Sequence, residues 1–243
     1  MRVITVANRK GGSAKTTTVV NLAYGLATRG QRVLVLDLDN QGHVLHGFSQ
    51  GEQGPISPAF PIAHFYKQLV AVHPNIDITE VNNTSADIGS QIHLQAVREW
   101  CDDSRLCARY DVILIDTPPT LNAQLMAALA AATEIVIPAA PLPLSSDGVD
   151  KLLFACLKAV SERKFRAKSI KLLPVMVEKN VRLHRLTLNQ WRERFGNAKV
   201  FSPIYKCIKL AEAFSTNKPI SEFAPKCRGA KDYDALCNAM ISE

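Results

Sequence analysis

The sequence lacks the paired cysteines that would indicate a zinc site, an iron–sulfur cluster or a disulfide framework. Its six cysteines stand singly at positions 101, 107, 156, 207, 227 and 237, with no C-x-x-C spacing among them. Cysteine ligands of zinc or of a cluster usually come at such short spacings, so both kinds of site are disfavoured. Scattered cysteines are typical of buried thiols in a reducing compartment.

The sequence also lacks a long uninterrupted apolar run. Its longest strongly apolar stretch, 121–140, contains four interrupting residues, Asn122, Gln124, Glu134 and Pro138. This pattern favours a helix followed by a strand over a membrane span. No basic and apolar leader follows Met1, so we expect a cytoplasmic protein that is not inserted into a membrane.

Acidic residues are scarce in the last two-fifths of the chain. Residues 1–150 contain 10 Lys and Arg against 14 Asp and Glu, whereas residues 151–243 contain 19 against 8. The net charge of +7 therefore combines −4 in the first segment with +11 in the second. A basic segment of this kind indicates a surface for a polyanion such as a nucleic-acid backbone, and a solvated basic face without a partner is the alternative.

The most informative stretch is Lys10-Gly11-Gly12-Ser13-Ala14-Lys15-Thr16-Thr17, which lies between an apolar run at 3–7 and an amphipathic run that begins near residue 18. A strand that turns through glycines into a helix N-terminus is an anion site, because its backbone N–H groups and the helix dipole both favour negative charge. Lys15 can reach the outer phosphates of a nucleotide, and the Thr16 hydroxyl can bind Mg²⁺.

The ordinary pattern of a phosphate-binding loop nevertheless fails in this stretch. Its two glycines would fall at positions 9 and 14, where the chain has Arg9 and Ala14. Only a variant pattern fits, in which a second lysine, Lys10, opens the loop and two adjacent glycines follow it. The alternative is a chance basic turn before a helix.

Carboxylates follow two further apolar runs. The run 33–36 ends in Asp37-Leu38-Asp39-Asn40-Gln41-Gly42, and the run 112–115 ends in Asp116-Thr117-Pro118-Pro119. Aspartates at the carboxyl ends of parallel strands, beside a phosphate-binding loop, can position an attacking water or hold magnesium. An aspartate that only caps a helix is the alternative for the first motif.

Strand-like and helix-like runs alternate along the chain, which predicts an α/β fold in a single domain, 1–243. The arrangement expected is a doubly wound, mostly parallel sheet flanked by helices, with a nucleotide at the carboxyl ends of the strands. Further strands are expected at 76–79, 134–138 and 170–176. Helices are expected at 64–72, 84–107, 146–163, 181–195, 211–216 and 229–241.

The three motifs, in this order, resemble those of the deviant-Walker ATPases of the ParA/MinD family, which are P-loop NTPases. The likeness is greatest to the ParA branch, including its Soj-like chromosome-partitioning proteins. Three late segments also resemble that branch: residues 204–213, residues 217–220 and residues 229–233. The resemblance extends over nearly the whole chain and is weak only at about 48–75.

The resemblance implies roles for particular residues. Lys10 resembles the signature lysine that reaches the nucleotide of the partner subunit in an ATP-sandwich dimer, and Lys15 the lysine that holds the β- and γ-phosphates. Thr16 would hold magnesium, Thr17 the α-phosphate, and Asp39 the attacking water. Asp116 resembles the Walker B carboxylate. The expected nucleotide-binding set is Lys10, Gly11, Gly12, Ser13, Ala14, Lys15, Thr16 and Thr17.

Four positions depart from the family pattern as we align it. Ala14 replaces a glycine, Asn40 replaces the proline after the aspartate, and Cys207 and Cys227 stand where Asn and Ser are usual. Ala14 adds only a methyl group beside the phosphates, so we expect nucleotide binding to survive. Asn40 directly follows Asp39, so its substitution for proline is expected to affect the position of the Asp39 side chain.

The resemblance implies a positioning ATPase that uses ATP and Mg²⁺. ATP would close a homodimer, the dimer would bind nonspecific DNA of the nucleoid, and a ParB-like or small adaptor protein would stimulate hydrolysis and release. Lys206 and Lys209 are the first candidates for DNA contact, followed by Arg182, Arg185, Arg192 and Arg194.

Three other functions are open on the same fold. A membrane-surface ATPase like MinD requires a basic amphipathic C-terminal helix, but no Lys or Arg follows Lys231. The reductase-type relatives require cluster-ligating cysteines, which the scattered cysteines disfavour. A biosynthetic ligase or kinase is the remaining alternative, and it would turn over without DNA or a partner.

Overall fold

The computed structural model describes residues 1–39, 41–48, 69–80, 96–161 and 166–242. These residues contain a seven-stranded sheet with the spatial order β3-β4-β2-β5-β1-β6-β7. The strands are β1 (Arg2–Val6), β2 (Val33–Asp37), β3 (Val70–His73), β4 (Ile76–Glu80), β5 (Val112–Asp116), β6 (Glu134–Ala139) and β7 (Ser169–Pro174).

All neighbouring strands pair in parallel except β3 and β4, which form an antiparallel edge hairpin. The central strands read as continuous apolar runs because both faces of a parallel sheet are covered by helices. In β2, for example, all five residues are buried. The expected doubly wound α/β fold is confirmed.

The described helices lie on both faces of the sheet. They are α1 (Lys15–Ala27), α2 (Ala96–Asp102), α3 (Ser104–Arg109), α4 (Ala123–Ala131), α5 (Pro143–Ser161), α6 (Arg182–Phe195), α7 (Ile208–Ser215), α8 (Ile220–Phe223) and α9 (Arg228–Ile241). Val33 and Val35 belong to the core with α1 and α9, whereas Leu34 and Leu36 belong to the core with α2 and α4. This alternation follows from the two-residue repeat of a strand.

One predicted helix is wrong where the structure describes it. Residues 70–72 of the expected helix 64–72 belong to β3, which turns through Pro74 and Asn75 into β4. These four residues are buried, exposed, half-buried and half-buried in turn, which follows neither a strand period nor a helical period, so the short run could not be assigned from its pattern. The remaining part, 64–68, lies outside the described residues.

The helix expected at 84–107 is two helices where it is described. α2 ends at Asp102, and Asp103 begins α3 by accepting hydrogen bonds from the backbone N–H groups of Arg105 and Leu106. An aspartate in this role is a favourable N-cap, so it starts a new helix. Residues 84–95 lie outside the described part.

The expected helices at 181–195 and 229–241 are confirmed to within one residue, and α7 begins three residues before the expected 211. In α9, buried Tyr233, Leu236 and Met240 face the core beside α1. Across the described residues, we find no helix with both the length and the apolar content to cross a membrane.

Candidate nucleotide and magnesium site

The loop between β1 and α1 has the backbone of an anion cradle. Gly12 has φ 67° and Ala14 has φ 62°, so both lie in the left-handed region. Left-handed residues in a turn direct successive N–H groups toward one side. An added Cβ at Gly11 or Gly12 would meet no atom within 4 Å, which leaves this side of the loop open to a ligand.

Ser13 supplies an independent indication of a ligand at this loop. Its hydroxyl oxygen is buried and has no hydrogen-bond partner in the structure. A buried polar atom without a partner costs about 1–3 kcal/mol, so such atoms usually await a ligand or water. The left-handed turn, the open glycines and the unpaired hydroxyl together fit the phosphates of a nucleotide.

Lys15 begins α1 and is 7% exposed. Burial lowers the pKa of its ammonium, while the negative charges of Asp116 and Asp39 act in the opposite direction and raise that pKa. The lysine predicted to hold the outer phosphates therefore lies beside both predicted carboxylates. Lys15 is thus a partly desolvated cation at the N-terminus of α1, with two carboxylates nearby.

Thr16 and Asp116 are 100 residues apart and meet at the sheet edge. The Thr16 hydroxyl donates a 2.6 Å hydrogen bond to Oδ2 of Asp116, and the backbone N–H of Thr117 donates to Oδ1. Burial raises the pKa of Asp116 from 3.8 to about 7, and the bond from Thr16 opposes that rise. The two residues predicted to hold magnesium are therefore hydrogen-bonded to each other.

Asp37 is a loop-organising residue that sequence reasoning did not single out. Its fully buried carboxylate accepts hydrogen bonds from the backbone N–H groups of Asp39 and Val44. Burial raises the pKa of Asp37 well above its ordinary value, and the neighbouring Asp116 raises it further. The two carboxylates are register partners across β2 and β5. The sequence signal for this pairing of carboxylates is that two strands, adjacent in the sheet, both end in Asp.

Asp39 occupies a different environment from Asp37. It is half-buried, and among the described residues its carboxylate accepts one hydrogen bond, of 3.3 Å, from the Gln41 N–H. The Gly42 N–H closes the turn on the Asp39 carbonyl. The Asp39 carboxylate therefore lies near Lys15 and has few hydrogen bonds to other described groups. Asn40, whose substitution bears on this pose, lies outside the described residues.

Lys10 lies at the mouth of the loop and is exposed. Its backbone N–H donates to Oδ1 of Asn8, and its ammonium is 3.5 Å from the Ser145 hydroxyl. Asn8 in turn donates to the Pro138 carbonyl, which fastens the loop to β6. Neither Asn8 nor Ser145 was predicted, because their spacing from the motif carries no pattern.

A cavity of about 360 Å³ adjoins the loop at Ala14 and Thr17. Its other walls come from late segments, including Met176, Tyr205, Cys207, Leu210 and Tyr233. The Tyr233 hydroxyl is 3.3 Å from that of Thr18, which ties α9 to α1. Sequence reasoning missed this cavity because nothing local to residues 205–233 shows that they fold back to the loop. Its position suits the base of a nucleotide.

The predicted DNA-contacting cations differ in whether they have an acidic partner among the described residues. The Lys206 ammonium is 3.2 Å from Glu178, and that of Lys209 is 2.6 Å from Glu212. Arg182 and Arg185 are exposed on α6 and have no ion pair within the described ranges. On the same helix, Arg194 pairs with Asp150.

A family model described as an AAA domain matches residues 1–171. The chain is 30% identical over 243 residues to the chromosome-partitioning ATPase Soj of Thermus thermophilus, covering 100% of this chain and 96% of Soj. It is 27% identical over 252 residues to the chromosome partitioning protein ParA of Caulobacter vibrioides, covering 100% and 94%.

A solved structure of a Cyanothece McdA variant in complex with ATP has a TM-score of 0.83 to this chain. The alignment covers 99% of this chain and 96% of McdA at 17% identity, which is a likeness of fold. The family match and the partitioning relatives extend over the loop, both aspartate motifs and, for the relatives, the late segments. The chain belongs to the ParA/MinD family of deviant-Walker P-loop ATPases, with the Soj and ParA chromosome-partitioning ATPases among its relatives.

Proposed function

We propose that the chain is a Mg²⁺-dependent positioning ATPase with weak intrinsic activity. Its ATP-bound homodimer binds nonspecific DNA, and a partner protein stimulates hydrolysis and release, so that a cargo is segregated or spaced. The observation that carries this proposal is the convergence of Lys15, Thr16, Asp39 and Asp116 beside an exposed Lys10. The chromosome-partitioning relatives support the biological role.

The loop residues would bind the nucleotide and orient its terminal phosphate. Lys15 would hold the β- and γ-phosphates, the loop N–H groups and the Ser13 hydroxyl would donate to phosphate oxygens, and Thr17 would contact the α-phosphate. The base would enter the 360 Å³ cavity beside Ala14 and Thr17. Two observations support these contacts: the loop is open at Gly11 and Gly12, and the buried Ser13 hydroxyl has no hydrogen-bond partner among the described residues.

Thr16 and Asp116 would hold magnesium together with phosphate oxygens. The described residues contain no group of three acidic, His or Cys side chains able to bind a metal ion, and magnesium usually takes few protein ligands beside its phosphates and waters. When bound, the ion neutralises charge that develops on the phosphates. The two protein oxygens are already 2.6 Å apart, so both belong to one small site.

Asp39 would orient the attacking water, since its carboxylate lies near Lys15 and accepts one long hydrogen bond from the part of the chain that the structure describes. Asp37 would position Asp39 by binding its backbone N–H. Lys10 would cross to the nucleotide of a second copy. An exposed lysine at the loop mouth is redundant for binding phosphate within its own subunit, where Lys15 is present.

DNA contact is proposed for the basic late segments, through Lys206, Lys209, Arg182 and Arg185. Dimerisation doubles the number of phosphates that one continuous surface can neutralise, and log affinity scales with that number. ATP would therefore switch DNA binding on, without sequence preference, because phosphate contacts carry no base information. The dimer would be cytoplasmic and nucleoid-associated in its ATP-bound form. A MinD-like membrane role is less favoured, since the apolar face of α9 packs into the core.

The proposal is tested by measuring binding of random-sequence duplex DNA and particle mass by light scattering. We expect dimers and DNA binding with ATP and Mg²⁺, and neither with ADP or without nucleotide. Steady-state hydrolysis should be slow without DNA or a partner. Rapid turnover by the isolated protein, with no dimer, would instead indicate a metabolic enzyme on this fold.

A further inference from the structure

A second, smaller cavity of about 250 Å³ lies between α6 and the segment that follows β7. It is separate from the cavity beside the nucleotide loop, although both are bordered by Tyr205. Six of its lining residues matter for its chemistry: Glu178, Lys179, Arg185, Asn189, Arg192 and Tyr205. One water takes about 30 Å³ of liquid, so the cavity has room for a phosphate group and several waters.

The charges that line this cavity are strongly unbalanced. Lys179, Arg185 and Arg192 have no ion pair within the described part of the chain. Glu178 is the one acidic residue lining it, and its carboxylate is engaged 3.2 Å away by Lys206. Three cations around one concave surface repel each other and raise the local concentration of anions.

Lys179 is positioned by Tyr205, and Arg185 and Arg192 share one face of α6. The Lys179 ammonium lies 5.2 Å from the centre of the Tyr205 ring, within cation–π range. The Lys206 N–H donates to the Val177 carbonyl, which fixes the segment carrying Lys179 against the segment carrying Tyr205. Arg185 and Arg192 are seven residues apart on α6, so they lie two turns apart on one face.

We propose that this cavity binds a phosphate group through Lys179, Arg185 and Arg192. Planar guanidinium groups present paired donors that match phosphate oxygens, and Asn189 adds a further polar side chain. The phosphate comes either from the backbone of duplex DNA or from a free phosphorylated small molecule. The assignment of the phosphate to DNA rests on the proposed function, whereas the binding of a phosphate group by the cavity does not.

The cavity differs from the surface formed by Lys206 and Lys209. Both of those lysines already have a carboxylate partner, at 3.2 and 2.6 Å, so a phosphate would have to displace Glu178 or Glu212. The cavity cations have no acidic partner among the residues that the structure describes. Lys206 contributes indirectly, because it neutralises the acid at the cavity wall.

The first test compares two double variants with equal loss of charge. Arg185→Gln/Arg192→Gln removes two cavity cations, and Lys168→Gln/Lys199→Gln removes two exposed lysines that lie outside the cavity. Random duplex is titrated with ATP and Mg²⁺ across a salt series. We expect the cavity variant to bind about tenfold more weakly or worse and to lower the salt slope by about 1.8, with the control near the parent.

The second test identifies the phosphate source on the parent protein. Phenylglyoxal modifies accessible arginines, and mass spectrometry follows Arg185 and Arg192 with the exposed Arg98 as an internal reference. Protection of the cavity arginines by duplex, but not by inorganic phosphate at equal ionic strength, supports the DNA source. Protection by inorganic phosphate without any effect of duplex supports a free phosphorylated ligand.

The two proposals fail separately. If the parent does not bind duplex DNA with ATP, the proposed function fails. Protection of Arg185 and Arg192 by inorganic phosphate then still tests whether the cavity binds a phosphate group. If the parent binds duplex, but the cavity variant binds undiminished and neither ligand protects the arginines, the cavity proposal is overturned.

Discussion

The Thr16 hydroxyl and the Asp116 carboxylate are 2.6 Å apart, although one lies in the first turn of a helix and the other ends a strand 100 residues later. They meet because β1 and β5 are neighbours and pair in parallel, with Val6 opposite Asp116. The loop after β1 and the end of β5 therefore share one edge of the sheet. This contact defines the corner of the site where the metal ion and the outer phosphates are expected.

Lys15→Ala is expected to abolish ATP binding, because Lys15 is the loop cation that lies beside Asp39 and Asp116. A titration with a fluorescent ATP analogue should show affinity reduced by about 100-fold or more. The exposed Lys168→Ala is a matched control and should bind like the parent. ATP affinity within a few fold of the parent in the Lys15 variant would refute the phosphate-cradle interpretation.

Asp39→Ala should leave ATP binding intact and stall hydrolysis. Within the described ranges, the lost carboxylate accepts a single 3.3 Å bond, from the Gln41 N–H, so little folding free energy depends on it. ATP-bound dimers should accumulate, as followed by phosphate release and light scattering. Parental hydrolysis in this variant would assign the water-positioning role to another residue.

Asp37→Ala provides the contrast to Asp39→Ala. It removes a buried acceptor of two backbone N–H groups, those of Asp39 and Val44, and leaves both without a partner. We expect the free energy of unfolding to fall by about 1–3 kcal/mol or more, measured by chemical denaturation. Equal stability of the two alanine variants would contradict the loop-organising role of Asp37.

The fold and the chemical centre of the site could be predicted because their signals are local or periodic. Apolar runs that end in Asp37 and Asp116 indicate buried parallel strands, and the carboxyl ends of such strands share one edge. Thr16, Lys15 and Asp116 therefore converge as expected.

The remaining features depend on contacts between distant segments. The cavity beside Ala14 and Thr17 forms only because Tyr205, Cys207 and Tyr233 fold back to the loop, and no periodicity in the sequence encodes that contact. The pairing of Lys206 with Glu178 is equally nonlocal, so counting charges could not distinguish engaged cations from unpaired ones. β3 was misassigned because its run is too short to show a helical or strand period.

Lys10→Ala should spare much of the ATP affinity and remove ATP-dependent dimerisation. Among the described residues, the exposed Lys10 ammonium has one hydrogen-bond contact, at 3.5 Å from the Ser145 hydroxyl, so its loss should leave the loop of its own subunit nearly unchanged. Light scattering with ATP and Mg²⁺ is the measurement, with ATP titration in parallel. Normal dimers in this variant would contradict a role across the dimer.

Ala14→Gly should stabilise the protein without nucleotide by less than about 1 kcal/mol. Ala14 has φ 62°, where an L side chain costs about 1–2 kcal/mol, and the gain is partly offset by the greater entropy of glycine in the unfolded chain. Thermal unfolding measures the change. Ala108→Gly in the helix α3 is the control and should destabilise by up to about 1 kcal/mol.

The stability of the nucleotide-free protein should fall as pH rises from 4 to 7. Burial raises the pKa of Asp116 from 3.8 to about 7, so in this window the folded state binds a proton that the unfolded state has released. The free energy of unfolding then decreases with pH, by up to about 4 kcal/mol for a shift of this size. The raised pKa of Asp37 acts in the same direction.

Chemical denaturation at pH 5, 6, 7 and 8 measures this dependence, with Asp116→Asn as the neutral isostere. The variant should show a flatter profile, because it has no proton to lose at that site. Asp111→Asn is the control. Hydrogen bonds from Arg32 lower the pKa of Asp111, so its contribution to the free energy of unfolding changes only below pH 4. Saturating ATP and Mg²⁺ should also flatten the parent profile, since a bound cation favours the ionised carboxylate. A parent profile as flat as that of Asp116→Asn would show that the buried carboxylate does not retain its proton.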